Sequence, residues 1–163
     1  MFAFTLRPTL ASAAALVVLT AGVTLAGGTV VARAGTVDCV KGANGFHDHP
    51  DDASGDTAKP RTVQLGDGVV LTLEKGVWDD TQIGFGKISG TTHPGDNLWM
   101  DWKARIGEPN AQSPWLQCGP FTVGTAKQSL TTPFRRTSND SAYQFRVCGS
   151  LKSNGVVQCS TWW

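Results

Sequence analysis

The sequence predicts an all-β domain, a single antiparallel sandwich held by two disulfides, and three observations carry that expectation. From Arg61 onward, apolar residues recur at alternate positions in short runs, with no 3.6-residue pattern. Clusters of Gly, Asp, Asn and Pro separate these runs, giving about seven strands in roughly 100 residues, the density of a sandwich or small barrel. Finally, Cys39, Cys118, Cys148 and Cys159 form an even set in a chain that opens with an export-type leader.

The leader has one early basic residue, Arg7, and then no charge until Arg33. Ala32-Arg33-Ala34 places small residues at both specificity positions of a signal-peptidase site, with Gly35 as the expected new N-terminus. A membrane anchor is the competing reading, because the uncharged run is long enough for a bilayer of about 30 Å. Its Ala, Gly and Thr content and the adjoining cleavage motif favour removal. The chain thus divides into residues 1–34 as signal peptide, 35–60 as a flexible segment tethered by Cys39, and 61–163 as the sandwich. Extracellular localisation follows, with no membrane contact after cleavage.

Gly35 to Pro60 is loop-like in composition and shows no apolar period. Thr62–Leu65 and Val69–Leu73 flank Gly66-Asp67-Gly68, which reads as a hairpin because Asp-Gly tolerates the positive φ of tight turns. Ile83–Ser89 is strand-like, and Gly84 and Gly86 mark a bulge or a close backbone approach. Leu98 to Lys103 alternates, with Leu98, Met100 and Trp102 on one face and Trp99, Asp101 and Lys103 on the other. Gly107–Pro114 reads as loop, Trp115–Val123 as strand, and Lys127–Arg136 as weaker strand.

The C-terminal stretch is the most specific. Tyr143, Phe145 and Val147 alternate with Gln144 and Arg146, and Asn154-Gly155 marks a turn before Val156–Trp163. A four-residue loop from Lys152 to Gly155 sets Leu151 opposite Val156 and Cys148 opposite Cys159. Opposed residues of an antiparallel pair have the Cβ spacing a disulfide needs, so Cys148–Cys159 is the expected bridge. Cys39–Cys118 then pins the N-terminal segment to the domain.

Ser141-Ala-Tyr-Gln-Phe-Arg-Val147 resembles the F–G hairpin of fibronectin type III and related immunoglobulin-like domains. That resemblance implies an immunoglobulin-like or fibronectin-III-like sandwich, with Tyr143 as its tyrosine corner and Trp102 as a core tryptophan. The cysteine positions depart from the immunoglobulin pattern, so the likeness extends to architecture and to no binding loop. The mature chain also resembles small secreted actinobacterial proteins of unknown function. The shared segments are Gly84–Gly90, Gly95–Trp102, Gln117–Phe121 and Phe145–Trp163. The implication is an exported, compact chain.

Composition narrows the function. Removing Arg7 and Arg33 lowers Lys plus Arg from 14 to 12 against 13 acids, which gives no case for nucleic acid as a partner. With all cysteines paired, no thiol is left for catalysis or metal binding. His47-Asp48-His49-Pro50-Asp51-Asp52 is the densest set of potential ligands, yet it lacks calcium-loop spacing and reads as a solvated acidic segment. No Gly-x-Ser-x-Gly, Ser-x-x-Lys or His-Glu-x-x-His motif occurs, so no catalytic residue, metal or cofactor is assigned. Carboxylate pairs such as Asp96 with Asp101, or Asp79 with Asp80, leave a small secreted hydrolase as the alternative. A secreted inhibitor or toxin using the Gly107–Pro114 loop is a third class. Arg135-Arg136 would suit an acidic partner, but a solvated turn is the simpler reading.

Tryptophan is the suggestive feature. Trp99 faces away from Leu98, Met100 and Trp102, Trp115 follows a loop, and one of Trp162 and Trp163 must point outward. Outward aromatics stack on sugar rings or anchor a protein partner. The expectation is an extracellular binding domain using Trp99, Trp115, Trp162 and Trp163, with a polysaccharide, cell-wall polymer or protein as ligand.

Overall fold

A computed structural model describes residues 32–34, 36–42, 44–105 and 115–163. Two sheets face each other. One contains β2 (Asp56–Gly66), β3 (Val69–Trp78) and β4 (Thr81–Gly90) as a meander. Two short strands, β7 (Leu130–Thr131) and β8 (Arg135–Arg136), pair with successive parts of β4. The second sheet runs β1 (Ala32–Ala34), β6 (Leu116–Thr122), β5 (Asn97–Lys103), β9 (Gln144–Ser150) and β10 (Val157–Cys159). All pairings are antiparallel except β1 with β6. A five-residue helical turn, α1 (Thr36–Val40), is the one helix among the described residues, and none is long and apolar enough to cross a membrane.

Turn chemistry sets the meander. Asp67 and Gly68 adopt φ of 52° and 74°, the double positive φ of a primed hairpin turn, as the Gly-Asp-Gly run predicts. Asp79 and Asp80 do the same between β3 and β4, at 49° and 54°. β3 runs five residues past the expected Leu73, because Glu74–Trp78 pairs in unbroken register with Thr81–Phe85.

Leu71, Leu73 and Ile88 from the first sheet meet Leu98, Met100, Trp102, Phe145 and Val147 from the second in one core. The expected alternation of β5 holds, with Leu98, Met100 and Trp102 all buried. Gly86 permits the close approach foreseen for it, since a Cβ there would sit 2.7 Å from Val147 Cγ2. At Gly84 the same atom would meet the Trp163 ring at 3.1 Å.

Both expected disulfides are present, with Cα–Cα distances of 5.9 Å for Cys39–Cys118 and 4.0 Å for Cys148–Cys159. Cys148 and Cys159 lie directly opposite, and Ser150 opposite Val157, which is the register deduced from the four-residue loop.

The N-terminal segment departs from expectation. The sandwich begins at Asp56, not Arg61, and the residues before it are packed rather than loosely tethered. Phe46 is fully buried, and His47 and Phe134 exchange N–H···O bonds of 2.9 Å. Lys87 Nζ donates to the Ala53 carbonyl at 2.7 Å. A polar, aperiodic composition concealed these anchors, because each acts singly. His47 and His49 lie against the Phe134 and Phe85 rings of a satellite cluster completed by Ile83.

Candidate ligand-binding face

The outward face of β5 and β9 carries the polar row that the alternation predicts. Asp101 pairs with Gln117 on one side and Arg146 on the other, and Trp99 lies opposite Cys148. Extending the β5–β6 register by one residue sets Trp115 across from Lys103.

The chain end supplies the remaining ring through a slip of one residue. Ser160 N–H donates to the Val147 carbonyl, in step with β10. Phe145 and Trp163 then exchange both backbone bonds, at 2.8 and 2.9 Å. Three residues on the terminal strand therefore span two on β9, as in a bulge, and the side-chain alternation inverts. Trp163 turns inward, packing against the core with its ring centroid 6.2 Å from that of Phe145. Trp162 turns outward beside Arg146. Only one of the terminal pair is thus available as an outward aromatic, and Trp163 is a packing residue in this arrangement.

The outward groups interlock. Arg146 stacks between two rings, its guanidinium carbon 4.4 Å from the Trp115 centroid and 4.5 Å from that of Trp162. Those rings meet edge to face at 5.9 Å and 64°. Lys103 Nζ lies 4.0 Å over Trp162. Beneath them Arg146 Nε and Nη2 both reach Asp101 Oδ2 at 2.7 Å. Asp101 is 2 % exposed in its side chain, and its Oδ1 is buried with no hydrogen-bond partner among the described residues. Burial pushes the Asp101 carboxyl above its ordinary range, and the Arg146 bond and charge pull it partly back. Trp99 is half-buried on the same face, two residues along β5 and so about 7 Å from Asp101. The arrangement offers aromatic surface and two cations, with Asp101 buried beneath as the anchor of Arg146.

Other candidates separate. Asp96 and Asp101 are five residues apart along an extended chain, about 16 Å, beyond the spacing of either glycosidase geometry. Both Asp96 oxygens accept backbone N–H groups, from His93 at 2.8 Å and Lys152 at 3.0 Å. Asp79 pairs with Arg136 at 3.1 Å on the surface. His47 and His49 do not converge as ligands: each packs on Phe134, and His49 Nε2 bonds the Thr132 carbonyl at 2.9 Å. The one metal-sized grouping among the described residues is Asp101, Cys148 and Cys159, whose sulfurs are joined to each other. The Gly107–Pro114 loop invoked for an inhibitor lies wholly outside the described residues.

Two features escaped the sequence. Trp78 is 42 % exposed beside Val77 at 75 %, on the β3–β4 hairpin. Arg135, expected on a solvated turn, lies over Trp102 with its guanidinium carbon 3.6 Å from the ring centroid.

No protein-family model, curated protein or solved structure matches the chain.

Proposed function

We propose that the chain is an exported, non-catalytic binding domain that takes an extracellular carbohydrate or cell-wall polymer on the outer face of β5, β6 and β9. The observation that carries this reading is the convergence of Trp115, Trp162 and Arg146 on one face over the buried Asp101. Sugar recognition combines ring stacking with charged or polar groups that satisfy hydroxyls, and this face holds both. Two disulfides and the leader support export. An immunoglobulin-like character belongs to the same reading, supported by the Tyr143 ring packing on the core near Trp102.

The test is retention of the oxidised protein on insoluble polysaccharides and cell-wall preparations, with tryptophan fluorescence as second readout. Saturable retention lost in Trp115→Ala and Trp162→Ala but kept in Trp78→Ala is the expected result. Retention unchanged in both outer-face variants, or absent on every polymer, overturns the assignment. Should Trp78→Ala alone abolish capture, the exposed Val77-Trp78 hairpin favours a protein partner instead.

A further inference from the structure

A second site is built around Arg135, on the opposite sheet. Its guanidinium is sandwiched by aromatic surface, 3.6 Å from the Trp102 centroid and 5.5 Å from that of Phe46. Nη1 donates to the Asn44 carbonyl, and no carboxylate among the described residues pairs with it. Burial lowers its pKa to about 10, so it is a cation at neutral pH. Half-buried and without a carboxylate, this charge is left to be balanced by solvent or by an anion from outside the chain.

The surroundings fit such a partner. An open cleft of about 280 Å³ adjoins the guanidinium, lined by His47, Arg135, Arg136, Thr137, Ser138 and Tyr143. Asp79, the acid beside Arg136, is exposed and engaged by it at 3.1 Å. The lining therefore offers cations and hydroxyls and no carboxylate. A guanidinium presents a planar fork of N–H donors matched to two oxygens of one anionic group.

We propose that this cleft binds the oxyanion of a ligand, a carboxylate or a phosphate, with Arg135 as its principal contact. The site is independent of the outer tryptophan face, so either assignment stands if the other fails.

The experiment titrates the ¹⁵N-labelled, oxidised chain with sodium glucuronate and, separately, with sodium phosphate, holding ionic strength constant with sodium chloride. Saturable amide shifts confined to Gly45 and Arg135–Ser138 are expected with at least one probe. Response to glucuronate alone assigns a carboxylate, to phosphate alone a phosphoryl group, and to both a general oxyanion site. Arg135→Gln should abolish the response. Because that change touches the core, Ser138→Glu at the exposed rim serves as the second variant; placing like charge at the mouth should weaken binding at least about tenfold. No saturable shift with either probe, or an unchanged midpoint in Ser138→Glu, overturns the proposal.

Discussion

Truncating Arg146 to Ala isolates the energetics of the outer face. Asp101 is 2 % exposed, and Arg146 is its only described charge partner. Removing the arginine leaves a buried, uncompensated carboxylate, which typically costs about 3–5 kcal/mol. Loss of two cation–π contacts, to Trp115 and Trp162, adds about 1 kcal/mol. A small domain has about 5–15 kcal/mol of stability in all, so the variant should be near its limit at pH 7.

The pH dependence separates charge from packing. Asp101 already has a raised carboxyl pKa in the folded protein, with burial the leading cause. A carboxyl raised above its unfolded value favours folding most when protonated, and that contribution is lost as pH rises through the folded pKa. Without Arg146 the folded pKa climbs further, so the penalty at pH 7 should shrink by half or more at pH 4. Urea denaturation of wild type and variant at both pH values measures this, since other titrating groups cancel in the difference. A loss below about 1 kcal/mol at pH 7, or one equal at both pH values, would refute the claim that an unpaired Asp101 charge dominates.

Three further outcomes are expected. The bridges span 79 and 11 residues, so chain-entropy arguments give about 4.5 kcal/mol for Cys39–Cys118 and about 2.8 kcal/mol for Cys148–Cys159. Paired Cys→Ala variants should follow that order in thermal unfolding; the reverse order would contradict it. Gly86→Ala should destabilise by about 1–3 kcal/mol, because its Cβ would press on Val147 at 2.7 Å, and a neutral result in denaturant titration would mean the sheets can part there. His49 has a lowered pKa, mainly from burial, opposed by its bond to Thr132 and by the charges of Asp48, Asp51 and Glu74. Its contribution is full above the unfolded value of 6.5 and falls as pH drops through the folded pKa. Replacing it by Phe should therefore flatten the loss of stability between pH 7 and 5, and an unchanged slope would place that loss elsewhere.

What could be read from the sequence was whatever local periodicity dictates. Alternation from Leu98 to Lys103 assigned both faces of β5, and the Asn154-Gly155 turn fixed the register that joins Cys148 to Cys159. The Asp67-Gly68 hairpin followed from backbone permissiveness alone. Features that escaped depend on distant partners. Arg135 reads as a surface cation until Trp102 and Phe46, each more than 30 positions away, are brought beside it. Phe46 and His47 are single anchors in a polar run, so no window average reveals them. Which of Trp162 and Trp163 faces outward turns on one extra residue after Ser160, and no alternation rule foresees a bulge.

The covalent links are unevenly distributed. Cys118, Cys148 and Cys159 all belong to the sheet that bears the tryptophan–arginine row, whereas β2, β3 and β4 carry no cysteine. Cys118 enters the core between the layers and Cys148–Cys159 joins two neighbouring strands of the same sheet, so that layer carries both links. Its side chains stand on a cross-linked scaffold and lose little configurational freedom when something docks against them. The same distribution gives a reductant a one-sided effect: it removes both covalent links from the layer that bears the tryptophan–arginine row and none from the meander, which is held by hydrogen bonds and the shared core.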